Sequence, residues 1–205
     1  MKKYYVIKIE RKGWTNLKIN EILKESPIIA AANDENLKEA VDSNASAVIL
    51  MEGKLSNLIE ENFKSYIDKK NIFIHMDLLK GLSNDLEGIK FLKENIKVKG
   101  IVSTKSSTLR AAKKQGLLTI QRIFLIDTKS LKNAIKSVKE NKPDAVEVMP
   151  ALSNSIIQHI KEEIKRPVIL GGLINSKEDI LGALNAGADG VSFSKSHLWN
   201  MDIEE

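Results

Sequence analysis

Eight short apolar runs, spaced by amphipathic stretches, constrain this chain more than any other feature. They are Ile28–Ala32, Val48–Met51, Ile72–Met76, Gly100–Ser103, Leu118–Ile123, Ala145–Met149, Val168–Leu170 and Gly190–Phe193. Their first residues lie 18 to 28 positions apart. Several are almost continuously apolar, the pattern of strands buried on both faces. The stretches between them have helical spacing. Leu131, Ala134, Ile135 and Val138 share one helix face behind a capping Asp127. Ser176 to Asp179 has the spacing of a capping box, and that helix runs out at Asn185-Ala186-Gly187.

Strands that alternate with helices pair in parallel through right-handed crossovers. Two architectures satisfy this: a closed barrel and an open doubly wound sheet. Eight units, each strand finishing in a polar cluster, favour the barrel, which gathers those ends on one face. We therefore expect an α/β fold, a (β/α)8 TIM-type barrel spanning residues 27–205 as one domain. Residues 1–26 fit the repeat less well and read as an N-terminal arm. Tyr4–Ile9 alternates like a strand, Arg11-Lys12-Gly13 looks like a turn, and Leu17, Ile19, Ile22 and Leu23 predict a short helix. A lid across the barrel bottom, a partner-binding arm and a segment foreign to the domain all remain open.

The chain has no cysteine, which excludes disulfides, thiolate metal sites and a cysteine nucleophile. Its 32 basic and 27 acidic residues give a net charge of +5. That permits an anionic ligand or nucleic acid without requiring either. Lys8 and Glu10 break the first apolar run, so no signal-peptide core forms. No run approaches the roughly 18 apolar residues of a membrane helix. The expectation is a soluble cytoplasmic protein without membrane contact, and a homo-oligomer is compatible with this.

The strongest chemical signal is at the last two strands. Pro167-Val168-Ile169-Leu170 runs into Gly171-Gly172, and Gly190-Val191-Ser192-Phe193 runs into Ser194-Lys195. Glycines let a backbone approach an anion closely, and a following helical turn, here at Ser196-His197-Leu198, offers free N–H groups. In barrels these two loops form a common phosphate site. Gly171, Gly172, Ser194 and Lys195 are the candidate phosphate ligands.

Other strand ends add polar groups. His75 and Asp77 share a parity at the third strand and are expected at the mouth. They suit a base with its orienter, a substrate-hydroxyl contact, ligands for a divalent cation, or a hydrogen-bonded plug. Lys80, Thr104 and Lys105 lie just beyond the third and fourth strands. Arg122 and Glu147 fall inside the fifth and sixth, where a glutamate among valines needs a partner. Arg122 on the next strand is the obvious one, as an internal ion pair or as part of a ligand site. His159 reads as a helix-surface or packing residue, and His197 lies beside the phosphate loop with no fixed direction. Trp199 is expected to pack the C-terminal turn. Lys105, Arg110, Lys113 and Lys114, with Lys97 and Lys99, form basic clusters that suit either a nucleic-acid backbone or plain solvation. No zinc spacing or helix-turn-helix is present, and no metal ligand set is assigned.

Several of these segments together resemble the glycerol-3-phosphate-responsive antiterminator family, the regulators of glycerol uptake operons. They are Ser26 to Ala31, Ile74 to Leu82 with His75, Asp77, Lys80 and Gly81, and Gly100 to Ser106 with Ser103, Thr104 and Lys105. Ile120 to Thr128, Pro143 to Pro150 and Pro167 to Ile174 complete the set, in order over about residues 20 to 200. The resemblance implies a barrel that binds glycerol 3-phosphate. It also implies a partner, the leader mRNA of glycerol-metabolism genes, whose terminator hairpin is prevented from forming. By position, Gly171, Gly172 and Ser194 hold the phosphate, and His75, Asp77, Lys80, Lys105, Arg122 and Glu147 line the mouth. The chain departs from the family where Lys195 stands in place of an asparagine and Phe193 is bulkier. Residues 1–17 have no counterpart.

A regulator without catalytic residues or a bound cofactor is therefore the leading expectation. The second is a barrel enzyme on a small phosphate ester, an isomerase, lyase or glycerol-phosphate transferase, with His75 or Glu147 as base and Lys80 or Lys105 as electrophile. A third is a ligand-binding scaffold whose N-terminal arm meets a protein partner.

Overall fold

The computed structural model describes residues 18–151 and 154–203. The strand and turn expected at residues 4–13, and Leu17, lie outside the described residues. Eight strands form: β1 (Ile28–Asn33), β2 (Ala47–Glu52), β3 (Asn71–His75), β4 (Gly100–Ser103), β5 (Leu118–Phe124), β6 (Ala145–Met149), β7 (Val168–Gly171) and β8 (Gly190–Phe193). Every boundary lies within one residue of the apolar run that predicts it. Each strand pairs in parallel with its sequence neighbour, and β8 returns to β1, so the barrel is closed. The open doubly wound sheet is thereby excluded.

The wall is built from α2 (Leu37–Asp42), α3 (Leu55–Leu58), α4 (Glu61–Lys69), α5 (Leu86–Phe91), α6 (Ser106–Lys114), α7 (Thr128–Asn141), α8 (Asn154–Ile164) and α9 (Lys177–Asn185), after a short α1 (Ile19–Glu25) that precedes the barrel. A π-helical turn, Leu92–Ile96, continues α5. The caps form as their residue types dictate. Asp127 accepts from the Ser130 amide at 2.7 Å, and Ser176 from the Asp179 amide at 3.2 Å. Val138 is buried and Leu131, Ala134 and Ile135 pack on the core, the apolar face predicted for α7.

Alternation along each strand divides the core in two. The outward side chains join the helices in the larger layer. The inward ones, among them Ile29, Ile49, Phe73, Val102, Ile120 and Ile169, fill the barrel. Ile19, Ile22 and Leu23 of α1 join this interior group together with the strand-opening residues Ala47, Leu118 and Ala145. Gly190 opens β8 at the same level, and a Cβ there would lie 2.8 Å from Leu23 Cδ2. Helix α1 is therefore a plug in the N-terminal end of the barrel. With the bottom sealed by apolar side chains, polar chemistry is confined to the opposite mouth.

Candidate functional site

At the C-terminal half of the barrel the inward positions change from aliphatic to polar. Register pairs Arg122 of β5 directly with Glu147 of β6, and Gly171 of β7 with Ser192 of β8. Arg122 donates through Nε to Glu147 Oε2 at 2.6 Å. The two side chains are 3% and 0% exposed. Ser192 donates to the other oxygen, Oε1, at 2.6 Å. Gly171 makes room for this arrangement: a Cβ would stand 2.4 Å from Ser192 Oγ and 3.3 Å from Glu147 Oε1. The first glycine of the pair is thus demanded by packing against the acid. A Cβ on the second, Gly172, would make only ordinary contacts, 3.6 Å to Pro150 and 3.8 Å to Met149, but its φ is +75°, a conformation glycine adopts at little cost.

Both Glu147 oxygens are used, but the guanidinium is not spent. Its Nη2 reaches only the weak acceptor Met51 Sδ, at 3.1 Å. Among the described residues Nη1 meets no acceptor. Arg122 therefore presents unused donors in the upper barrel, held in place by an acid that cancels its charge.

His75 ends β3, is buried, and its Nδ1 has no hydrogen-bond partner among the described residues. Burial, and secondly the positive charge of Arg122, push its pKa below the usual imidazole range, against the pull of Asp77 and Glu147. A neutral imidazole with an unpaired nitrogen is thus left beside the ion pair.

Asp77 does not continue the strand. It lies in the turn after β3, where the Leu78 amide bonds back to the His75 carbonyl at 3.1 Å, so the parity argument that aligned it with His75 lapses. Its carboxylate accepts from Ser103 Oγ (2.8 Å), the Thr104 amide (2.7 Å) and Thr104 Oγ1 (2.8 Å). Burial would raise this carboxyl, but the three hydrogen bonds outweigh burial and hold it below the ordinary carboxylate value. Asp77 and Thr104 thus clasp the β3 and β4 loops. Lys80 forms an isolated parallel bridge with Lys54: its amide donates to the Gly53 carbonyl and its carbonyl accepts from the Leu55 amide at the start of α3. Its side chain and that of Lys105 are exposed on the rim. No group of three or more His, Asp or Glu suited to a metal ion occurs among the described residues.

Beyond β8, Ser194 and Lys195 are exposed and lead into a 3-10 turn, Ser196–Leu198. Among the described residues the amides of Lys195 and Ser196 donate to no backbone acceptor. Trp199 is buried and its Nε1 donates to the Phe193 carbonyl at 2.9 Å, which anchors that turn. Phe193 packs in the outer layer with Trp199, so its bulk stays out of the mouth. His159 and His197 are both exposed and belong to no part of this network. Two participants escape the sequence reading. Ser192 is detectable as the inward residue between Val191 and Phe193, whereas nothing marks Met51 as a partner for Arg122.

This arrangement has relatives. The residue pattern of the glycerol-3-phosphate responsive antiterminators matches residues 28–199, the whole barrel. The chain belongs to that family. The uncharacterized protein YgcP of Escherichia coli K12 is 35% identical over 181 residues, 88% of this chain and 95% of that protein. The crystal structure of a glycerol uptake operon antiterminator regulatory protein from Listeria monocytogenes superposes with a TM-score of 0.79 at 30% identity, covering 85% of this chain and 95% of that one. An antiterminator-related protein from Thermotoga maritima gives 0.70 at 28% identity, over 85% and 98% of the two chains. The family match begins at Ile28, so the plug helix α1 lies outside the shared pattern. Among the described residues no helix of this family member is long and apolar enough to cross a membrane.

Proposed function

We propose that this chain is a transcription antiterminator that binds glycerol 3-phosphate at the barrel mouth and, in that state, binds the leader mRNA of glycerol-metabolism genes. The observation that carries the reading is the family match over the entire barrel. The mouth supports the ligand half of it. The glycerol phosphate group suits the Gly171–Gly172 loop, where the positive φ of Gly172 opens the backbone, and the turn after β8, where the Lys195 and Ser196 amides donate to no backbone acceptor among the described residues. The unspent donors of Arg122 and the unpaired His75 Nδ1 suit the hydroxyl end of a small polyol. Lys80 and Lys105 add positive charge at the rim. A buried ion pair whose acid is fully hydrogen-bonded is better placed to hold a ligand than to move protons, which favours a signal site over a catalytic one.

Regulation follows from linkage. If glycerol 3-phosphate favours the RNA-binding state, RNA strengthens glycerol 3-phosphate binding by the same factor. A thermal-shift and calorimetric screen of phosphate esters tests the ligand. Glycerol 3-phosphate at about 100 times its Kd adds roughly 2.7 kcal/mol to stability. Gly172→Val removes that gain by blocking backbone approach. No shift with glycerol 3-phosphate, or turnover of it by the protein, would overturn the reading.

A further inference from the structure

Charge is distributed unevenly around the barrel. From Asn95 to Ile126 the chain holds seven basic residues and no acidic one. Between residues 97 and 142 there are twelve basic and two acidic residues. The whole chain carries only +5, so this sector's excess of ten leaves the remainder net acidic by five. The sector is contiguous in space. It comprises β4, α6, β5 and α7, and β4 and β5 are paired neighbours in the wall.

Helices α6 and α7 are locked side by side. Asn141 donates to Ser106 Oγ at 2.8 Å and to Gln121 Oε1 at 3.1 Å, and accepts from Arg110 Nη1 at 3.3 Å. Lys113 donates across the same groove to the Lys142 carbonyl. The outer face of the pair exposes Arg110, Lys113, Lys114, Lys129, Lys132 and Lys136. None of these six has a carboxylate within 4.0 Å among the described residues. Along α7 the spacing of 129, 132 and 136 keeps the cations in one stripe.

Solvation alone does not account for this. The other exposed helices mix signs: α4 carries Glu61, Lys64, Asp68 and Lys69, and α8 carries Lys161, Glu162 and Glu163. The large apolar side chains that are exposed, such as Phe124, Ile126 and Leu173, lie off α6 and α7. The face therefore lacks both the apolar component of a membrane-surface helix and the anchors typical of a protein interface. Dense, predominantly positive charge on a rigid surface, with Glu140 at the far end of the α7 stripe its one exposed carboxylate among the described residues of the two helices, suits a polyanion. Both helices start one loop from the mouth, directly after Lys105 and Asp127.

Resting on the antiterminator reading, we propose that RNA lies along the wall formed by α6 and α7, its phosphate backbone held by Arg110, Lys113, Lys114, Lys132 and Lys136. The test uses a fluorescein-labelled, uridine-tailed RNA hairpin, with anisotropy read in glycerol 3-phosphate at KCl between roughly 50 and 300 mM. The triple variant Lys114→Gln, Lys132→Gln, Lys136→Gln removes three exposed cations that make no hydrogen bond among the described residues. It should raise Kd at least about tenfold and flatten the slope of log K against log salt by about 2, at roughly 0.7 per lost contact. A control triple, Lys18→Gln, Lys24→Gln, Lys64→Gln, removes equal charge elsewhere and should change Kd less than about twofold. Unchanged binding by the first triple, or equal loss in both, overturns the assignment of this wall and leaves the antiterminator reading standing. No hairpin binding by the wild-type protein at the lowest salt overturns both.

Discussion

Replacing Glu147 by leucine isolates the interaction on which the mouth is built. Arg122 and Glu147 are 3% and 0% exposed. The substitution strands a guanidinium that is almost wholly out of solvent, and breaking a buried pair from one side costs about 3–5 kcal/mol. Ser192 loses its acceptor as well, for roughly another 1 kcal/mol. In a domain of this size each kcal/mol shifts Tm by about 2–4 °C, so a fall of roughly 8–24 °C is expected. The double variant Arg122→Met, Glu147→Leu removes the stranded charge and should recover most of the loss, because apolar replacement of a whole buried pair is close to neutral. Urea unfolding followed by circular dichroism gives both numbers. Inorganic phosphate supplies a third. If the unspent donors face an anion site, added phosphate should stabilise Glu147→Leu more than the wild type, and the double variant not at all. A single variant within 1 kcal/mol of wild type, or a double no more stable than the single, would refute the argument that this guanidinium is desolvated.

Further outcomes are equally direct. Because His75 has a depressed pKa, the unfolded chain binds more protons than the native one below the ordinary imidazole value of about 6.5. Stability should therefore fall as pH drops from about 6.5 toward the lower native pKa, and His75→Gln should flatten that segment of the urea-midpoint profile. Asp77 has the opposite charge type: its contribution is present above its unfolded value and is lost as pH falls through its lowered native one, so Asp77→Asn should remove the acid segment and, by taking away a charge that raises His75, deepen the imidazole one. Gly171→Ala should cost about 1–3 kcal/mol by overpacking against Ser192 and Glu147, and clearly less in a Ser192→Ala background, as a double-mutant cycle would record. Ile22→Ala should cost about 2–5 kcal/mol if α1 plugs the barrel, and a loss within experimental error would detach that helix from the core.

The strands were legible because burial on both faces leaves only apolar residues between turn signals, and all eight boundaries fall within one residue of their runs. Closure was an inference from strand count, and the β8 to β1 pairing supports it. The pairing of Arg122 with Glu147 was legible because a lone buried acid demands a cation on a neighbouring strand. Asp77 was less so. Alternation is a property of strands, and β3 ends at His75, two residues too soon for the parity to reach it. The two glycines after β7 looked alike in sequence, yet Gly171 answers to the volume of Ser192 and Gly172 to its own φ. Such a distinction depends on β8, a strand about twenty residues on, and no local pattern carries it.

The electrostatics of the mouth bear on what kind of site this is. Arg122 is cancelled by Glu147, and His75 is held neutral by burial. The inner barrel thus carries no net charge for a phosphate dianion to meet. The cations that are uncancelled, Lys80, Lys105 and Lys195, stand on the exposed rim, where solvent and salt screen them. Affinity for a small phosphate ester must then come largely from oriented backbone amides and the guanidinium's spare hydrogen bonds, which are short-ranged and little affected by ionic strength. The wall proposed for RNA, α6–α7, would work by the reverse logic, through solvated cations whose effect on a polyanion grows as salt falls. On the proposed reading the two binding events would rest on different forces, short-ranged hydrogen bonds for the ligand and screened charge for the RNA, joined only through the linkage between them.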